Sequence, residues 1–151
     1  NHQENTMKCS KEHSLTCRLI CFFLICCSQI KGNDGINPNS KTDHNCIDQI
    51  LNREYPETAV VLTLGGAGAV YAAGGEVFLC PARKVEALDT TGAGDTFTGY
   101  FLAALTDGKT PRRCLEEAAA AAAIAVSRLG ASASIPERSE VEKLLNDSPV
   151  R

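Results

Sequence analysis

The chain carries Leu88-Asp89-Thr90-Thr91-Gly92-Ala93-Gly94-Asp95-Thr96-Phe97 past its midpoint. Three features coincide there. Gly92 and Gly94 free the backbone to turn its N–H groups toward one point. Phe97, Phe101, Ala104 and Leu105 recur at helical spacing, which predicts a helix from Thr96 to about Thr106. Its unpaired N–H groups and dipole face that same point. The third feature, the carboxylate of Asp95, adds negative charge to what is otherwise an anion hole. A carboxylate there makes sense as a general base that takes a proton from an attacking hydroxyl. Together the three suggest phosphoryl transfer to an alcohol. The plainer alternative also fits the spacing. Gly-x-Gly is common at tight strand-to-helix turns, and Asp is a routine residue at a helix start.

The flanks are α/β in pattern. Ala59–Leu64 is a continuous apolar run that suits a strand buried on both faces, as in a parallel sheet. Gly65-Gly66-Ala67-Gly68 breaks it. Ala69–Ala72 and Glu76–Leu79 flank Ala73-Gly74-Gly75 as a hairpin. Arg83–Leu88 alternates as a further strand. Thr110 caps the next helix, Pro111 opens it, and it runs to about Leu129 before Gly130. Its Ala118–Ala123 run is small on every side. Ser139-x-x-Glu142 is a capping box for a last helix through Leu145. Ile47, Ile50 and Leu51 mark a short helix ending near Tyr55-Pro56. Strand, hairpin, strand, helix, helix is an α/β layer, not a bundle.

The 151 residues are 44% hydrophobic and 22% charged, enough for one domain or a piece of a larger one. A net charge of −3 lacks the basic excess of a nucleic-acid binder. No run approaches the roughly 18 apolar residues of a membrane span, so neither nucleic acid nor membrane is expected as a partner.

Composition splits the chain in two. Six of the 8 cysteines, Cys9, Cys17, Cys21, Cys26, Cys27 and Cys46, precede residue 47. Residues 1–46 read as a disordered or irregular leader, or as mistranslated sequence. The start at Asn1 in place of Met fits a fragment with a foreign front end. From Met7, the cations Lys8, Lys11 and Arg18 would precede the apolar Leu19–Cys27 as in a signal peptide, but no small-x-small cleavage site follows. The cysteine spacing matches no zinc pair of pairs. Residues 33–42 are linker-like, residues 47–146 form the regular region, and 147–151 a tail.

Other nucleotide motifs fail. A dinucleotide fingerprint from Gly92 needs glycine where Phe97 stands, and one from Gly66 needs it at Tyr71. Gly108-Lys109-Thr110 lacks the glycine a phosphate loop requires at Ala103. His2, His13 and His44 all lie in the leader, so no histidine triad is available.

Leu88–Phe97 resembles the C-terminal signature of the ribokinase-like (PfkB-type) carbohydrate kinases. Val61-Leu62-Thr63-Leu64-Gly65-Gly66-Ala67-Gly68-Ala69 is similar to that family's nucleotide-side strand and loop, and Ala125–Pro136 to its closing segment. The resemblance covers about residues 47–146. It implies the C-terminal part of a three-layer α/β/α sandwich, without the N-terminal sheet strands and lid. It implies an ATP-dependent kinase with Asp95 as base. Gly92, Ala93 and Gly94 would offer amides to the γ-phosphate, and Thr63, Gly65 and Gly68 would line the phosphate and ribose side of ATP. A monovalent cation, K⁺, would sit by Asp89, Thr91, Val126, Arg128, Gly130 and Ser134, and Mg²⁺ would arrive with ATP. The implied acceptor is a sugar, ribose first. The setting would be cytoplasmic, or secretory if residues 7–27 act as a signal. A homodimer is admitted for a full-length parent. Ala119 departs from the family's Asn or His, which contacts the nucleotide base, and alanine weakens that contact. The missing sugar-binding half also leaves open a catalytically inactive fragment that binds nucleotide or a partner. A secreted cysteine-rich protein would rest on residues 7–27 alone.

Overall fold

A computed structural model describes residues 58–147 and the backbone of residues 23–26. The described strands form one sheet in the order β1 (Phe23–Cys26), β2 (Val60–Thr63), β3 (Ala69–Ala73) and β4 (Glu76–Cys80). β1 runs parallel to β2, with Phe23 opposite Val60, so four residues of the apolar run in the expected leader join the sheet as a strand. β2–β3 and β3–β4 are antiparallel. The expected helix near residues 47–55 lies outside the described residues.

Three helices follow: α1 (Ala93–Thr106), α2 (Pro111–Val126) and α3 (Arg138–Asp147). The β2 run is buried on both faces, as its unbroken apolar character requires. Val61 faces a core built with Tyr71 of β3 and with Phe97, Phe101, Leu115 and Ala118 of α1 and α2. Val60 and Leu62 face the other way, with Val70 and Ala72. α3 packs outside α2, where Val141 and Leu145 meet Ala120 and Ala121. Ala118, Ala120 and Ala121 are fully buried, so the small run of α2 lets the layers approach closely. None of the described helices is long and apolar enough to cross a membrane.

Several boundaries differ from the sequence expectation. Residues 83–88 form no strand. Arg83, Lys84, Val85 and Ala87 line a cavity, so the side chains do not sort to two faces as a strand's would. The segment borders that cavity, and no described strand pairs with it. α1 begins at Ala93, three positions before Thr96, because Gly92 in the left-handed region (φ 75°) is already its N-cap. α2 is capped by Thr110 and opened by Pro111 as expected, but ends at Val126. Gly130 (φ 91°) belongs to the loop beyond. α3 does not use Ser139 and Glu142 as its box. The Glu140 carboxylate accepts from the Glu137 N–H at 2.8 Å, the same device moved two residues back.

Candidate active site

The start of α1 has no side-chain cap. The Ala93 N–H reaches the Thr90 carbonyl at 3.3 Å, and the first full helical bond runs from Thr96 N–H to Gly92 O at 2.8 Å. The N–H groups of Gly94 and Asp95 therefore precede any intrahelical acceptor, and the positive end of the helix dipole adds to them. Asp95 sits in this first turn and is exposed.

A cavity of about 690 Å³ opens beside it. Thr63, Gly65 and Gly68 line it from the loop after β2, and Ala93 and Gly94 from the start of α1. Two groups of expected site residues, some 30 positions apart in sequence, thus share one cavity. Val126 lines it as well. Gly92, the N-cap, and Asp95, the exposed neighbour of Gly94, are outside the lining. The charged side chains of the wall are Arg83 and Lys84, both cationic, so the described wall attracts an anion.

The loop is held from behind. Asp89 accepts from the Thr91 N–H at 2.9 Å and from the Gly130 N–H at 3.0 Å. Hydrogen bonds from Thr91, side chain first and then backbone, and from Gly130 hold the Asp89 carboxyl below the usual carboxylate range. The N–H groups of Leu88 and Asp89 both donate to the Val126 carbonyl, at 2.8 and 3.2 Å. A Cβ on Gly92 would meet Ala131 backbone at 3.3 Å, so glycine is needed for the approach of the two loops as well as for φ. Ser134 is buried, and its hydroxyl donates to the Ala131 carbonyl at 2.8 Å. The Arg128 guanidinium is engaged by the Glu140 carboxylate.

The sequence reading missed most of the third wall, residues 82–85 and Ala87 with Ala122 and Ala123 of α2, although the resemblance had marked its Ala119 as a base-contacting position. Its other signal was the alanine run, which accounts equally well for close packing.

The match to the family model described as pfkB family carbohydrate kinase spans residues 28–138. The chain belongs to the PfkB family of carbohydrate kinases. That match begins ahead of residue 47, where the sequence pattern becomes regular. Among relatives, a ribokinase of Schizosaccharomyces pombe is 48% identical over 89 residues, covering 58% of this chain and 28% of the relative. A ribokinase of Thermotoga maritima superposes with a TM-score of 0.67 at 34% identity, over 83% of this chain and 42% of that one. The ribokinase of Arabidopsis thaliana, solved with ribose and ATP, gives 0.65 at 35% identity, over 73% and 36%. This PfkB chain therefore spans less than half the length of these relatives.

Proposed function

We propose that this chain is the nucleotide-binding, phosphoryl-transferring part of an ATP-dependent sugar kinase, with ribose as the first candidate acceptor. The observation that carries the reading is the one cavity shared by the Thr63–Gly68 segment and the start of α1, with Asp95 exposed next to Gly94 in the same helical turn. The Arabidopsis relative binds ribose and ATP by its description. The apolar walls suit a base and ribose, and the amide end suits the outer phosphates. The N–H groups of Gly92 and Gly94 would take up charge on the phosphoryl group as it moves, and that of Ala93 would join them by giving up its 3.3 Å bond to the Thr90 carbonyl. Asp95, exposed one step away, would accept the proton of the attacking hydroxyl. Mg²⁺ travelling on the triphosphate would neutralise part of its charge, and no residue of this chain is assigned to it.

A K⁺ site belongs to the same proposal. Asp89 and Ser134 would supply side-chain oxygens, and Thr91, Arg128 and Gly130 would supply carbonyls, from loops that Asp89 ties together. An oxygen set with one carboxylate suits a hard cation. The Val126 carbonyl already accepts two N–H groups and is the weakest donor of the six. If the reading holds, nucleotide affinity is higher in K⁺ than in tetramethylammonium.

A second reading is nucleotide binding without transfer. The absence of Asp95 from the described cavity lining favours it. One experiment separates the two: ATP binding by calorimetry, together with transfer of labelled γ-phosphate to ribose. Binding with transfer supports the kinase, binding alone supports the second reading, and no binding removes both.

A further inference from the structure

Arg83 and Lys84 are neighbours in the cavity wall, but only one of the two charges is free to meet a guest. The Nη1 of Arg83 donates to the Leu144 carbonyl of α3 at 3.5 Å, and its Nε and Nη2 are shut off from solvent. That guanidinium is packed against α3 and does not face the open space. Lys84 is exposed, and among the described residues it has neither an ion pair nor a hydrogen bond. The described lining contains no carboxylate, and Glu86, two residues on, is outside it. An ammonium with three donors and no internal partner keeps its charge for an anion in the cavity.

The chain path fixes where Lys84 stands. A Cβ on Gly68 would lie 2.1 Å from the Cys80 carbonyl oxygen and 2.7 Å from the Ala82 nitrogen, so the β2–β3 loop rests against residues 80–82. Lys84 is two residues further, at most about 7 Å of chain away. The segment then joins the start of α1. There the Asp89 N–H donates to the Val126 carbonyl at 3.2 Å, and the Thr90 carbonyl accepts from Ala93. Lys84 therefore lies between the Gly68 loop and the amides of α1, closer to the loop along the chain. A nucleotide with its outer phosphate on those amides and its ribose by the loop has its inner phosphates on that path. The amides there supply dipoles, and Lys84 supplies a full positive charge on a long, flexible stem.

We infer that Lys84 is the cation that binds the inner phosphates of the nucleotide. It acts on ADP as well as on ATP, since both carry those phosphates, and so it is a binding residue whose role does not depend on transfer. The inference rests on the cavity being the nucleotide site proposed above.

The test titrates the full chain with ADP by calorimetry, at low and at high salt, for wild type, Lys84→Met, Lys84→Arg and Lys143→Met. Lys143 of α3 is exposed and outside the lining, so its loss changes the net charge equally. Lys84→Met should weaken ADP about tenfold at low salt. Its ADP affinity should also depend less on salt than that of wild type. Lys84→Arg keeps the charge and should keep most of the affinity. Lys143→Met should bind as wild type does. If Lys84→Met binds ADP as tightly as Lys143→Met, this inference is overturned and the cavity reading stands. A loss that Lys84→Arg shares in full, or that ignores salt, does the same, because it comes from shape and not from charge. No ADP binding by wild type overturns both.

Discussion

A general base must be reachable by the hydroxyl it deprotonates, and Asp95 is exposed beside amides that have no helical acceptor. Asp95→Asn keeps the shape of the side chain and removes the base. It should bind ATP as tightly as wild type or tighter, since one negative charge beside the phosphates is gone. Sugar phosphorylation, followed by label transfer, should fall by about 10²–10⁴. Turnover near wild type would remove Asp95 from the mechanism. Gly68 is a different kind of residue, because backbone geometry decides it. Its φ is 113°, and a Cβ would lie 2.1 Å from the Cys80 carbonyl oxygen, which cannot swing aside as a side chain would. Gly68→Ala should cost at least about 2 kcal/mol in urea unfolding, since strained φ and a backbone overlap add. An unchanged midpoint would mean that the β2–β3 loop rearranges freely. Both residues stood out in the sequence, but for unequal reasons. Asp95 was legible from its neighbours, whereas the role of Gly68 as a packing requirement needed the position of Cys80.

At the scale of elements, α2 presents two sets of alanines that a single sequence run does not distinguish. Ala120 is fully buried against α3, whereas Ala122 is half-buried and lines the cavity. Ala120→Leu should destabilise the fold by about 1–3 kcal/mol through overpacking. Ala122→Leu should reach into the cavity and weaken nucleotide binding tenfold or more, with a smaller effect on thermal unfolding. Equal effects of the two on both readouts would contradict this division of the helix. The clamp between the 88–92 and 127–134 loops has a pH signature. The folded pKa of Asp89 is lowered. Its contribution to stability is therefore present above the unfolded value of about 3.9 and lost as pH falls through the folded value. The gap in melting temperature between wild type and Asp89→Asn should be open at neutral pH and close in acid. A gap that stays constant would show that the carboxylate's charge is not what holds the loops. Strand and hairpin positions were legible because glycines and apolar runs mark them locally. Residues 83–88 and the start of α3 were not, since an alternating sequence there borders a cavity without pairing as a strand and two glutamates compete for one capping role.

For the whole molecule, the sequence pattern carried the α/β class, while most of the cavity's third wall, Ala119 aside, came from three-dimensional packing. That packing offers a measure of how nucleotide and fold are coupled. Cys80 and Cys114 are free and buried in the core between sheet and helices. Burial is the main cause that pushes both thiols up to about 11, so at neutral pH neither is a thiolate. Modification of either then requires the core to open. A nucleotide that binds only the folded cavity lowers the open population by the factor 1 + [L]/Kd. At a concentration about a hundred times Kd, labelling of Cys80 and Cys114 should slow by about a hundredfold, provided closing outpaces modification. The two thiols should slow together, because they share one core cluster. Asp95→Asn should be protected as well as wild type, since it leaves the cavity intact, and Ala122→Leu should lose most of the protection. Labelling rates that ignore the nucleotide, with binding shown separately, would place the ligand outside the cooperative core and against the cavity described here.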